Sequence, residues 1–558
     1  MKLNTYMEKP SFKLVFFLLL FVGHLATLWT PLTHPPLMVD KEAIIDPLTT
    51  IDSFYPDYKN LLLSGKIYDF QPLRDLSLYL DLKIDDLLNW SHTGTITNLI
   101  IFYLTLILLF KIFLHFFDKK SAIFLASIFL THPLYFFCYI EITQRKHILS
   151  FLLILATYYI LLKGKSEKKY LLSYFFYFLS ILSHPINALI PAWFFSQEKK
   201  PFSKKTFLSY VPFATLFLLI YFTNDYLYRN IHSTREGVNY SNLEFIPEQI
   251  IYSIGLHFRQ FFFPISFSNF YSLGNISVLI FSFAPITYVL YVYKRHKKNM
   301  IFLVLPLIII FFTLYGHKSN VLTIFLQNPY VLTPSFIFLL FIGFAIRETR
   351  FNSLLWITPL LLLALTLPYS LNRKDAISLY EHTYPKEPEC RSLQVLVVNY
   401  IGKGKIEKLK KSGHEWLNQK CFLRSKSTNF IRPFINTHLI LENEKFSYEE
   451  KKYLLLNKYE TPNDLVPLEL VLKLKYGKEL DSVPALYKRL YSLNFSSFFV
   501  SSSYIGKIIK GKCKDFGNES CAAIADYFER SKNLKAINEY KMNFPSLDQR
   551  GEDKQSID

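Results

Sequence analysis

The apolar residues of this chain are gathered into long runs, instead of recurring at the short periods of soluble amphipathic elements. Runs of about 17–25 apolar residues are long enough to cross the hydrocarbon core of a bilayer as helices. The pattern predicts an α-helical polytopic membrane protein with about eleven transmembrane helices, at residues 13–31, 95–115, 121–138, 147–163, 170–185, 186–197, 206–223, 275–293, 300–315, 331–346 and 352–369. The sixth run is too short to cross alone, which predicts a broken or re-entrant helix.

The first apolar run follows a basic N-terminus, so it has two interpretations. A secretory signal peptide would end at a small-x-small cleavage site, and no clear site of that kind follows the run. We therefore expect an uncleaved first helix. Cleavage would leave the orientation of the later spans unchanged.

The charge pattern predicts the topology. The formal net charge of +19 is compatible with nucleic-acid binding. Much of the excess positive charge, however, lies in every second short connection between apolar runs, including Lys119–Lys120 and residues 163–169, 199–205 and 294–298. Lys and Arg mark cytoplasmic connections. The expected location is a bacterial inner membrane, with a cytoplasmic N-terminus and no nucleic-acid partner. Residues 1–370 are predicted to form this membrane domain, with outward-facing segments at 32–94 and 224–274 and an amphipathic helix near 246–264.

Residues 371–546 change character, because charges are dense and no run could cross a membrane. Apolar residues recur there at three- and four-residue spacing, which predicts a periplasmic domain of amphipathic helices. One stretch has the pattern of a helix, a glycine-containing turn and a second helix, which resembles a degenerate helical-hairpin repeat. No clean repeat period is present, and an irregular helical domain is the alternative. Residues 547–558 are expected to be disordered.

Four of the five cysteines lie in this outward region. Two disulfides are expected in an oxidising compartment, among Cys390, Cys421, Cys513 and Cys521. The sequence leaves all three pairings open and proximity favours Cys390–Cys421 and Cys513–Cys521; unpaired thiols are the alternative. No C-x-x-C spacing occurs, so no metal site is predicted.

The segment between the first two apolar runs, residues 32–94, is acidic. It holds ten acidic residues against five Lys or Arg. Asp40 lies about nine residues beyond the first run, where a carboxylate could reach the outer mouth of the bundle and act as a general base. A solvated loop charge is the simpler interpretation of Asp40.

The outer turn between the third and fourth runs, residues 131–149, crowds charges into a short connection. Charges so close to a bilayer are costly unless they are paired or used. Arg145 and Lys146 could meet a lipid phosphate, Arg145 with its bidentate fork, or their side chains could simply snorkel to head groups. His184, beside Pro185, is expected to be a turn residue.

Several short segments follow one another in a distinctive order: VDK at 39–41, FQPLRDLSLYLD at 70–81, TITN at 95–98, THP at 131–133, ITQRKHILS at 142–150 and NPYVLTPS at 328–335. In order and topological placement they resemble the motifs of the GT-C membrane glycosyltransferases. The resemblance is strongest to the protein O-mannosyltransferase-like branch with transmembrane and tetratricopeptide-repeat regions. It covers about residues 10–200 and 325–410.

The resemblance implies a GT-C-like fold and a transfer reaction without a cofactor. The donor would be a polyprenyl-phosphate sugar held in the membrane lipid, and the acceptor a hydroxyl of a protein or glycan. Asp40 would deprotonate that hydroxyl. The sugar phosphate would be bound by Arg145, Lys146, Arg74 and His132, and the C-terminal helices would bind the acceptor.

Four positions depart from the family pattern. Lys41 replaces the second acidic residue, Gln71 and Pro329 replace arginines, and Thr95 replaces a histidine. These changes remove charge that would handle a sugar phosphate. A catalytically inactive membrane scaffold is therefore one alternative. A lipid-linked glycan polymerase or ligase is another, although such proteins usually carry their large outer loop late in the chain.

Overall fold

The computed structural model describes residues 10–34, 45–49, 53–63, 70–164, 168–198, 202–231, 257–264, 270–272, 325–327, 332–349, 353–374 and 376–385, with six isolated later positions. The chain divides into two compact units, Met1–Ser392 and Leu393–Asp558. Apart from the six isolated positions, the described residues belong to the first unit. Asp40, Lys41, Pro329, the two predicted spans at 275–293 and 300–315 and the four C-terminal cysteines lie outside the described residues.

The described part of the chain is almost entirely helical. Its α-helices are α1 Pro10–Thr27, α2 Trp29–Thr33, α3 Asp46–Thr49, α4 Phe54–Leu63, α5 Pro72–Leu88, α6 Thr93–Phe116, α7 Lys119–Thr131, α8 Phe136–Ile140, α9 Arg145–Lys163, α10 Lys168–Ser183, α11 Ile190–Ser196, α12 Lys204–Ile231, α13 Leu332–Thr349, α14 Ile357–Leu371 and α15 Ala376–Thr383. Residues 257–262 are also helical. One short antiparallel pair joins β1 Phe270–Ser272 to β2 Phe325–Gln327.

Four helical stretches in this part are long and apolar enough to cross a membrane. They are Val15–Thr33, Thr93–Phe116, Ile142–Lys163 and Lys204–Thr223. A bent pair, α7 with Pro133–Ile140, would make a fifth span, and Leu332–Arg347 and Ile357–Leu371 are shorter apolar helices. The helices indicate a membrane-embedded protein, and they coincide with predicted spans. The total of eleven stays a prediction.

The predicted spans at 170–185 and 186–197 correspond to shorter helices. α10 has 16 residues and α11 has seven. At 1.5 Å per residue, α11 is only about 10 Å long, about a third of the hydrocarbon core. It therefore cannot cross alone, as its short apolar run indicated.

Two His-Pro turns break the apolar helices in the same way. The helical path bends by 51° between α7 and Pro133–Ile140. A residue that precedes proline is driven out of the helical region, and His132 accordingly has φ −73° and ψ 126°. The Nδ1 atom of His132 accepts the amide of Leu134 at 3.2 Å, and Nδ1 of His184 accepts that of Ile186 at 3.0 Å. Each imidazole thus caps the short 3₁₀ turn that follows it.

Helices α9, α10 and α13 are joined by side-chain hydrogen bonds inside the bundle. Asn187 donates to Ser150 Oγ at 3.0 Å, and Ser180 Oγ donates to the Ser150 carbonyl at 2.9 Å. Thr333 on α13 donates to Asn187 Oδ1 at 2.8 Å. Small polar residues allow close helix approach in lipid and contribute about 0.6 kcal/mol per bond.

The acidic segment 32–94 contains helices that sequence analysis did not predict. Its longest helix is α5, which has Pro72 in its first turn and ends at Asn89, whose φ of 49° is left-handed. Proline suits a helix start, and asparagine tolerates the left-handed C-terminal position. α5 packs against α6, α9 and α10. The segment is therefore partly built into the bundle.

Asp118 caps the N-terminus of α7, at the end of the helix opposite the His132–Pro133 turn. Its carboxylate accepts the amides of Lys120 at 3.0 Å and Ser121 at 3.4 Å, and the Ser121 hydroxyl at 2.6 Å. Partial burial raises the pKa of Asp118, but these hydrogen bonds outweigh burial and hold it below the ordinary value of 3.8. The carboxylate is therefore stabilised as the charged N-cap.

Replacing Asp118 with alanine should cost about 1 kcal/mol of unfolding free energy through loss of the cap. Because its folded pKa is depressed, Asp118 stabilises the fold above about pH 4 and loses that effect as pH falls through the folded pKa. Thermal unfolding in detergent at neutral and acidic pH measures both effects. Asp118→Asn keeps a capping oxygen and should be the milder variant, without this acid sensitivity; equal losses in both variants would contradict the capping role.

Candidate functional site

Arg145 is the centre of a buried charged cluster where α5, α6 and α9 meet. It forms an ion pair with Asp81 of α5, and its Nε donates to Asn98 Oδ1 of α6 at 2.7 Å. Its Nη2 donates to the Gly94 carbonyl at 2.8 Å and its Nη1 to Ser77 Oγ at 3.3 Å. All three guanidinium nitrogens therefore have protein partners, and the side chain is fully buried.

Gly94 permits this approach. A Cβ atom at position 94 would lie 2.8 Å from Cδ1 of Ile142. Ile142 lies three residues before Arg145, so this close contact brings the Gly94 carbonyl within reach of the Arg145 guanidinium. Asn98 extends the connection, because its amide donates to the Glu141 carbonyl at 3.1 Å.

A second buried ion pair lies about two turns earlier on α5. Arg74 Nε donates to Asp75 Oδ1 at 2.6 Å, and Arg74 Nη1 donates to Gln71 Oε1 at 2.8 Å. The Tyr58 hydroxyl of α4 donates to the other oxygen of Asp75 at 2.8 Å. The two ion pairs together form the charged cluster, which consists of Arg74, Asp75, Asp81 and Arg145. Gln71 thus holds the Arg74 guanidinium.

A basic group lies beside the charged cluster. The rings of His147 and His184 are 4.5 Å apart between centroids and tilted by 38°. The positive charges of Lys146 and Arg74 act on both imidazoles. Lys146 is partly exposed, and within the described part of the chain its ammonium makes no hydrogen bond or ion pair. Lys146 is therefore the member of this group whose charge is available to a ligand.

Sequence analysis missed one buried charge, Arg373, which follows α14. Its Nη2 donates to the Ile140 carbonyl at 2.8 Å. Burial lowers the pKa of Arg373 to about 10, and the negative charge of buried Glu141 acts in the opposite direction. Arg373 therefore stays protonated at neutral pH and ties the end of α14 to the turn before α9. A charge directly after an apolar run was the signal that could have found it.

The other predicted site residues fall in different places. His132 is buried, and both its ring nitrogens have protein partners: Nδ1 caps the turn, and Nε2 donates to the Phe261 carbonyl at 2.8 Å. Arg74, Arg145 and Lys146 are brought together at one end of the helices. His132 does not share a contact with them among the described residues. Asp40 and the C-terminal cysteines stay predictions.

Three carboxylates of the acidic segment have structural partners. Asp75 and Asp81 hold the two arginines, and Asp85 Oδ1 accepts the Thr93 amide at 3.1 Å at the start of α6. Such pairing occupies the oxygens that a general base would need. These three carboxylates therefore hold the fold of the segment together.

The described residues include no group of three or more His, Cys, Asp or Glu side chains that could hold a metal ion. An apolar cavity of about 250 Å³ lies between α11 and α12, and none of its lining residues belongs to the charged cluster. At the end of the bundle where the charged cluster lies, the Lys146 ammonium can bind an anion near the imidazoles of His147 and His184.

Comparison of the chain with protein-family models, with curated proteins and with solved structures finds no significant match.

Replacing Arg145 with methionine should lower the unfolding free energy by about 3–5 kcal/mol, because it leaves Asp81 as a buried charge without its partner. The double variant Arg145→Met/Asp81→Asn should lose less than the sum of the two single losses, because it removes both charges. Thermal unfolding in detergent measures all three variants.

Lys146→Met is the matched control, since it removes the adjacent but unpaired cation. It should change stability by no more than about 0.5 kcal/mol. Additive losses in the double variant would show that Arg145 and Asp81 do not stabilise one another.

Proposed function

We propose that the protein is a membrane glycosyltransferase that moves a sugar from a polyprenyl-phosphate donor to an acceptor hydroxyl. The observation that carries this proposal is the partly exposed Lys146 between Arg145, which is ion-paired to α5 of the acidic segment, and His147, whose ring lies 4.5 Å from that of His184. A lipid-linked phosphate reaches the membrane surface at such a position, and ammonium groups bind phosphate as point charges. The ordered motifs of the sequence add the resemblance to GT-C enzymes.

In this reaction a base removes the proton of the acceptor hydroxyl, and the oxygen attacks the anomeric carbon of the sugar. The bond between that carbon and the phosphate oxygen breaks, and the polyprenyl phosphate leaves with the electron pair. Direct displacement inverts the anomeric centre. Asp40 is the proposed base, because Asp75, Asp81 and Asp85 are already engaged.

Arg145 and Lys146 are neighbours in the sequence but have different contacts, so we assign them different roles. Arg145 is a positioning residue, because its guanidinium is occupied by α5 and α6. Lys146 would meet the phosphate as negative charge develops on the leaving oxygen, which is where a fixed cation lowers the barrier most. Arg74, which Asp75 partly neutralises, would add charge from α5.

The proposed partners follow from this chemistry. The donor stays in the membrane lipid, and the acceptor is a protein or glycan that approaches the same face. By the charge pattern of the sequence, that face is the periplasmic side of a bacterial inner membrane. The C-terminal helical domain is the proposed acceptor-binding part.

A catalytically inactive scaffold is the second candidate function. The specific observation in its favour is that both arginines of the charged cluster are ion-paired to carboxylates of the same helix, α5. Positive charge that is neutralised in this way contributes little to binding a phosphate.

In proteoliposomes that contain a polyprenyl-phosphate hexose, the protein should release polyprenyl phosphate in the presence of acceptor. Lys146→Gln should lower the rate about 100-fold, because it removes the fixed charge that stabilises the leaving group. Asp40→Asn should abolish transfer, because an amide cannot accept the proton. Labelled sugar and liberated polyprenyl phosphate, measured together, report the reaction.

Lys119→Gln is the matched control, since it removes an exposed cation at the start of α7, and its rate should equal that of the unaltered protein. Full activity of Asp40→Asn would refute the base assignment. Absence of donor turnover by well-folded protein, with a panel of hexose donors, would favour the scaffold.

A further inference from the structure

Helix α5 carries an apolar stripe on the face that points away from the protein. The side chains of Leu76, Leu80, Ile84 and Leu87 recur every three or four residues, so they share one face of the helix. They are between 36% and 83% exposed. The opposite face carries the buried Arg74, Asp75, Leu78 and Asp81. The helix is therefore charged toward the protein and apolar toward its surroundings, the reverse of a helix on a soluble protein.

The margins of the stripe have the composition of a membrane interface. Lys83 lies at one edge, with its ammonium 5.3 Å from the centre of the Tyr79 ring, and exposed Asp86 lies further round the helix on the same side. Trp90, 47% exposed, follows the C-terminal end. Tryptophan favours the head-group level, and lysine can extend its charge from an apolar face toward water.

The position of α5 along the chain places it at the membrane boundary. Asn89 ends the helix in a left-handed conformation, and the spanning helix α6 begins at Thr93. A few residues therefore separate the end of α5 from a segment that enters the bilayer. With 17 residues, α5 is about 25 Å long. Its charged buried face keeps it from crossing the hydrocarbon core itself.

We infer that α5 lies in the bilayer interface, with Leu76, Leu80, Ile84 and Leu87 inserted among the lipid chains and the charged face held against α6, α9 and α10. Lipid is the partner that matches a regular apolar stripe beside a span, because burial of such a face among acyl chains is favourable. The stripe then fixes the depth of the charged cluster at the head-group level. This inference does not depend on the proposed transfer reaction.

Single cysteines at Leu80 and Asp86, in a variant without the native cysteines, test the inference in phospholipid vesicles. A fluorophore at position 80 should be quenched by nitroxides attached high on the acyl chains and protected from aqueous iodide. A fluorophore at position 86 should show the opposite preference. The ratio of lipid to iodide quenching should therefore be above one at position 80 and below one at position 86.

Ile84→Cys is the second position on the stripe and keeps the test decisive if Leu80→Cys does not fold. Strong iodide quenching at both stripe positions would overturn the inference, since the stripe would face water. Protection from both quenchers would also overturn it, because another protein surface, such as a second copy, would then cover the stripe.

Discussion

The bonds of Arg145 are the constraint on which this end of the bundle depends. A guanidinium at the end of an apolar helix is costly to bury unless every donor is satisfied and its charge is balanced. Asp81 on α5 and Asn98 and Gly94 on α6 meet both needs. The acidic segment is consequently held against the bundle by a charge at the first residue of α9.

That constraint separates charges that build the fold from charges that remain for a ligand. Asp75 and Asp81 neutralise Arg74 and Arg145, and Glu141 acts on Arg373. Lys146 follows Arg145 directly, yet its ammonium has no partner among the described residues. Adjacent cations thus have different surroundings, because α9 turns the Arg145 side chain inward and leaves Lys146 at the edge.

The sequence predicted the long apolar helices well, since a run of about 20 apolar residues has few other stable environments. It did not predict α5. This helix buries its charges and exposes its leucines, so without knowledge of burial its sequence resembles an acidic loop. Arg145 could be singled out from the cost of a charge beside the bilayer. Its partner Asp81 could not, because only the packing of α5 brings the two together. Arg373 was missed although a charge directly after an apolar run marks it; its partner, the Ile140 carbonyl, is set by packing alone.

The two His-Pro turns have a consequence for ligand binding. Proline removes a helical amide at each corner, and the imidazoles of His132 and His184 secure the turns with side-chain bonds. Ser183 beside the second corner also donates to the Lys146 carbonyl at 3.2 Å. The Ser183 bond ties the backbone carbonyl of Lys146 to the second turn without any ligand. A ligand that binds there pays little conformational entropy to order the protein, so more of its contact energy remains as affinity.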